Sequence, residues 1–141
     1  MQHRDETGDD CIFCRIVRGE LPSSRVLETD AALAFLDLNP VNPYHTLVVP
    51  KRHRRDLSDA TAADLADVTA AVKAVLDLYA DRLGIDQCQV VCSSGPDAQQ
   101  DVFHLHFHVI PRHADDGADL QFRTRPELQA EFRALLERLR D

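Results

Sequence analysis

From Phe103 to Ile110, large apolar residues alternate with histidines: Phe103, Leu105, Phe107 and Val109 at odd positions, His104, His106 and His108 at even ones. A period of two marks a strand whose faces meet different surroundings. The odd residues are expected in a core. The imidazoles are expected in a row on the other face, about 6–7 Å apart. Similar short apolar runs predict strands at 25–28 and 32–37, joined by the acidic turn Glu28-Thr29-Asp30, at 46–49, stopped by Pro50, and at 89–93. Two stretches follow the helical period instead. In residues 61–82, Leu65, Val68, Val72, Val75, Leu76 and Tyr79 form one stripe, with Ser58 or Thr61 as cap, Asp64 in the first turn and Gly84 as stop. In residues 126–140, Pro126 opens a second stripe of Leu128, Phe132, Leu135, Leu136 and Leu139. The predicted class is α+β: a mostly antiparallel five-stranded sheet with one long central helix, a C-terminal helix, and the helices on one face.

The length of 141 residues suits one core. The expected organisation is a flexible tail at 1–10, one domain at 11–113 and an extension with a helix at 114–141. No apolar run approaches the length of a membrane span, and residues 1–10 lack an apolar signal core. These features point to the cytoplasm. The formal charge of −8 argues against stable nucleic-acid binding, which depends on neutralising phosphates. Positive charge gathers only in Lys51-Arg52-His53-Arg54-Arg55, a solvated turn or a ligand-steering patch.

Three alternating histidines would arise by accident in roughly two chains in a hundred of this histidine content. The rest of the chain supplies matching parts. Cys11 and Cys14 have the spacing that lets two thiolates meet one tetrahedral ion. His53 and His104 are candidates to complete the set, with His3, His45, His106, His108 and His113 as alternatives; redox or plain core cysteines are the competing readings. Cys88 and Cys92 read as small core residues on a strand. A neutral imidazole is a good nucleophile near pH 7 and can attack phosphorus if one nitrogen keeps a lone pair and the other is fixed as a donor. His106, the middle histidine, is the best placed. A metal-binding triad is the competing reading of the row. The loop from Ser93 to Asp101 offers Gln100 and backbone N–H groups to an oxyanion.

The His104–Ile110 pattern, Cys11-Ile12-Phe13-Cys14, Gly19-Glu20-Leu21-Pro22, Ala34-Phe35-Leu36-Asp37, Asn39-Pro40 and the run from His45 to His53 together resemble the histidine-triad (HIT) superfamily, in its bacterial zinc-containing branch. The resemblance implies a homodimer that hydrolyses a nucleoside phosphoramidate or dinucleoside polyphosphate at the α-phosphate, through a nucleotidyl-histidine. It implies His106 as nucleophile, His108 as a phosphate contact, and His45 as a supporting catalytic histidine. It implies Asp37 at the ribose, Ser93, Gln100 and Asp101 around a purine nucleotide's phosphate, and a structural zinc on Cys11, Cys14, His53 and His104. A nucleotidyltransferase or phosphorylase, and a nucleotide-binding regulatory protein with little catalysis, are the alternatives. Three positions depart from the family's pattern. Ser93 replaces an Asn, Gln99 replaces a small glycine and is expected to narrow the pocket, and Asp101 replaces a Ser or Thr hydroxyl. A carboxylate at 101 is expected to point away from the phosphate, to weaken its binding, or to accompany a different substrate.

Overall fold

The computed structural model describes residues 10–140. The expected tail, with His3, falls outside them except for Asp10, which sits in an exposed turn. The elements run α1 (Ile12–Val17), β1 (Arg25–Glu28), β2 (Ala32–Leu36), β3 (Thr46–Pro50), α2 (Ala62–Leu83), β4 (Cys88–Val91), β5 (Phe107–Pro111) and α3 (Phe132–Glu137). The strands form one antiparallel sheet in the order β1-β2-β3-β5-β4.

Alternation along β2 and β3 sorts side chains between two cores. Ala34 opposes Val48, and both face α2; Phe35 opposes Leu47 and Leu33 opposes Val49, and these face α1. α1 and α2 therefore lie on opposite faces of the sheet and not on one face as expected, because alternation along β2 and β3 gives each face an apolar set to cover. Small residues on one face let the long helix approach, and larger ones on the other meet the short N-terminal knuckle.

α2 begins where Thr61 Oγ1 accepts from the Asp64 N–H and the Asp64 carboxylate accepts from the Thr61 N–H, a reciprocal capping box. It ends at Gly84, whose φ of 68° suits a residue without Cβ. Its buried stripe is Val68, Ala71, Val72, Val75 and Tyr79, at helical spacing. Thr46 Oγ1 bonds the Tyr79 hydroxyl at 2.6 Å and ties β3 to this helix.

The histidine strand is shorter than its sequence pattern. β5 starts at Phe107, because β3 pairs with it only through Thr46, Leu47 and Val48. Before Phe107 the chain leaves the ladder: the Leu105 N–H donates to the Arg54 carbonyl, and His104 reaches the Pro50 carbonyl with its ring. β4 likewise ends at Val91, short of Ser93. The C-terminal stripe forms a 3-10 turn, Pro126–Glu131, followed by the six-residue α3, and not one helix. Phe132, Leu135, Leu136 and Leu139 stay exposed, because α1 and α2 already occupy both sheet faces.

Replacing Thr61 with Ala is expected to cost about 1 kcal/mol in chemical denaturation. Ser58→Ala, whose hydroxyl serves only Asp56, is expected to cost less. Equal losses would contradict the cap assignment.

Candidate functional site

The register fixes where the histidines face. His108 opposes Leu47 on β3 and Val91 on β4, so it shares a face with Leu47 and Phe35, opposite α2. This face is not open to solvent along its length. α1 covers it, burying His104 completely and His106 almost so, and only His108 is partly exposed.

Hydrogen bonds assign the ring protons. His106 Nδ1 lies 2.8 Å from the His104 carbonyl, which can only accept. In the neutral ring the proton is therefore on Nδ1, and Nε2 keeps its lone pair. His45 Nδ1 accepts the Val41 N–H at 2.9 Å, so its proton sits on Nε2 and points at His108 Nδ1, also 2.9 Å away. That leaves the His108 proton on Nε2. Burial pushes His108 down to about 4, helped by neighbouring His106 and His45, against the pull of Asp37 and Asp101. Burial also lowers His45. Both rings are then neutral near pH 7, with a fixed direction of donation. Asp37 sits just past the end of β2. Its backbone N–H bonds the His45 carbonyl, Oδ1 takes the Asn39 N–H, and Oδ2 lies 3.4 Å from His45 Nε2.

A cleft of about 210 Å³ opens beside these groups. His106, His108, Asp37 and Asp101 line it with Ile12, Phe13, Ile16, Phe35, Leu36 and Leu47, and with Pro22, Ser23 and Leu38. No pattern in the sequence marks this apolar wall. Phe13, inside the Cys-x-x-Cys, explains part of it: its ring meets the edges of His106, His104 and Phe35 at centroid distances of 5.3, 5.9 and 5.5 Å. The loop between the cysteines thus forms cleft wall.

The residues expected at the phosphate separate. Asp101 does not point away: Oδ1 lies 3.6 Å from His106 Nε2. Gln100 turns inward, its amide donating to the Arg55 and Val102 carbonyls and its oxygen accepting from Gly95 N–H. Neither Gln100 nor Ser93 lines the cleft. The Ala98, Gln99 and Gln100 N–H groups bond back to the Gly95 and Pro96 carbonyls, so these three donors are spent within the turn. Gln99 has a φ of 74°, the left-handed region that glycine occupies freely. It is exposed and does not narrow the cleft. The basic run is largely matched by carboxylates: Lys51 with Glu28, Arg54 with Asp64 and Arg55 with Asp56.

Behind the cleft, Cys11, Cys14, His53 and His104 converge, their ligand atoms all within 4.8 Å of one another. Individual separations are 3.2 Å for Cys11 Sγ to His104 Nδ1, 3.4 Å for Cys14 Sγ to His53 Nδ1, 3.5 Å for Cys14 Sγ to His104 Nδ1, and 3.3 Å between the two Nδ1 atoms. The edges of a tetrahedron with zinc–sulfur and zinc–nitrogen bonds are about 3.3–3.8 Å, so the set fits such an ion. His104 Nε2 donates to the Pro50 carbonyl at 2.7 Å, which leaves the Nδ1 lone pair facing the cluster. Of the sequence's alternatives, His106 and His108 line the cleft, His45 is buried against His108, and His113 is exposed near the Ala114 carbonyl. Burial, with the second thiol beside it, pushes Cys14 up to about 12, the reverse of what a redox cysteine needs. Cys88 is half-buried against the α2 core, as a small apolar residue would be.

Among the described residues no helix is long and apolar enough to cross a membrane. A HIT-domain family model matches residues 18–115. An uncharacterized HIT-like protein of Methanocaldococcus jannaschii is 42% identical over 112 residues, covering 79% of this chain and 86% of that one. The adenosine 5'-monophosphoramidase hnt1 of Schizosaccharomyces pombe is 35% identical, covering 92% of this chain and 95% of its own. The crystal structure of a zinc-bound histidine-triad protein from Mycobacterium smegmatis superposes with a TM-score of 0.76 at 33% identity, over 94% of this chain and 97% of that one. With a family model spanning most of its length and relatives at these identities, the chain belongs to the HIT family.

Proposed function

We propose that the protein is a nucleotide hydrolase that cleaves nucleoside phosphoramidates at the α-phosphorus through a covalent adduct on His106. The observation that carries this reading is the paired orientation of two rings: His106 keeps Nδ1 on the His104 carbonyl and turns Nε2 to the cleft, beside a donor on His108 Nε2. The phosphoramidase name of the fission-yeast relative supports it.

In this reading the purine enters the apolar slot of Ile12, Phe13, Ile16, Phe35 and Leu47, and Asp37 accepts from ribose hydroxyls. His106 Nε2 attacks phosphorus while Nδ1–H stays on the His104 carbonyl, which stabilises the positive charge that develops on the ring. The phosphorus–nitrogen bond breaks, and the leaving nitrogen takes a proton from solvent and departs as an amine. Water then attacks phosphorus, the bond to Nε2 breaks and restores the lone pair, and the proton taken up in the first half is released. His108 Nε2–H donates to a phosphate oxygen throughout. Its donor is aligned in advance by His45, so little reorganisation accompanies the change in charge.

Zinc on Cys11, Cys14, His53 and His104 belongs to the same reading, as a structural ion that ties the knuckle to the segment before β5. A homodimer does too: β4 is an edge strand, with Val90 and Val91 exposed on it.

Two outcomes test this. His106→Ala is expected to lower turnover of an AMP phosphoramidate by about three orders of magnitude or more, as loss of a covalent nucleophile does; near-normal turnover would overturn the proposal. Elemental analysis is expected to find one zinc per chain. A chelator, or Cys14→Ser, is expected to lower the melting temperature by roughly 10 °C, the response to about 3 kcal/mol in a chain of this size. A metal-free protein whose melting ignores chelator would contradict the zinc assignment.

A further inference from the structure

We propose that Asp101 makes this site selective for substrates whose leaving group carries positive charge, the phosphoramidates of cationic amines, and disfavours leaving groups made of phosphate. The inference rests on the hydrolase reading and narrows its substrate class.

Asp101 is placed to act on the leaving group. Oδ1 lies 3.6 Å from His106 Nε2 and accepts the Val102 N–H at 2.8 Å, which orients the carboxylate toward the cleft. The side chain is 82% exposed, so it stands at the rim. In-line displacement puts the leaving group on the side of phosphorus away from His106 Nε2. Asp101 Oδ1, 3.6 Å from that nitrogen, flanks the phosphorus under attack, so its charge reaches a leaving group of several atoms that runs out toward the rim.

The rest of the cleft sharpens the preference. Among its described lining residues the charged side chains are Asp37 and Asp101, and there is no Lys or Arg. Lys51, Arg54 and Arg55, from the basic run, are paired with carboxylates elsewhere. His45 and His108 are held neutral by burial. The Gly95 turn, which could have offered N–H donors, bonds to itself. A polyphosphate chain therefore meets two carboxylates with no cation to offset them. An ammonium group meets a favourable field. One unit of charge on the leaving group, in the combined field of the two carboxylates, is worth roughly tenfold.

The test uses the zinc-loaded protein and AMP phosphoramidates of three amines of equal length: 1,5-diaminopentane, pentylamine and 5-aminopentanoate, with diadenosine tetraphosphate as a fourth substrate. The expected order of kcat/KM is cationic, neutral, anionic, spanning about a hundredfold, with the tetraphosphate at the bottom. Asp101→Ser and Asp101→Asn are each expected to shrink that span to a few-fold, chiefly by speeding the anionic substrates. The Asn variant keeps an acceptor for the Val102 N–H and so separates charge from loop orientation. High salt is expected to compress the wild-type span as well. If the wild type turns over all three amines equally, or both variants keep its order and span, the selectivity falls while the hydrolase stands. If no substrate is turned over by the wild type, both readings fall.

Discussion

One hydrogen bond carries the site: the 2.8 Å contact from His106 Nδ1–H to the His104 carbonyl. It decides which ring nitrogen is basic, and it spans only two residues, so it depends on the backbone of His104 being held. That backbone is clamped by the side chain of the same residue. His104 is completely buried, donates through Nε2 to the Pro50 carbonyl and turns Nδ1 toward two thiols and His53. A cation gathered there would fix the position of the carbonyl that orients the His106 ring. The Cys/His cluster and the ring proposed as nucleophile are thus two ends of one short segment.

The two-sided sheet makes this arrangement possible. Small residues, Ala32, Ala34 and Val48, let α2 pack close on one face. The other face is left for α1, whose Phe13 and Ile16 complete a core and wall the cleft at once. The same burial that stabilises this layer lowers the basicity of His45 and His108, so neutral rings near pH 7 follow from packing. The field in the cleft is then set by Asp37 and Asp101.

Much of this was legible in the sequence, and the reasons for the rest are physical. Period-two alternation put the histidines on one face, and helical spacing found α2 with its cap and stop, because both patterns are local. Alternation could not say what covered the histidine face, since α1 arrives from the other end of the chain. It also overran the start of β5, because the turn at His104 is driven by Pro50 and the cysteines. The Cys-x-x-Cys spacing pointed to an ion, while choosing His53 and His104 among seven histidines needed the family resemblance or coordinates. Gln100 looked like a phosphate donor by position, yet its amide closes its own loop. The C-terminal stripe read correctly as amphipathic, but no sheet face remained to receive it.

The tautomer of one ring, His106, decides which nitrogen faces the cleft. Long-range nitrogen–proton correlation spectra of protein labelled with ¹⁵N-histidine report it directly near neutral pH. His106 in its neutral form is expected to show a protonated Nδ1 and an Nε2 shift typical of an unprotonated acceptor. A His106 ring protonated on Nε2, with Nδ1 bare, would contradict it.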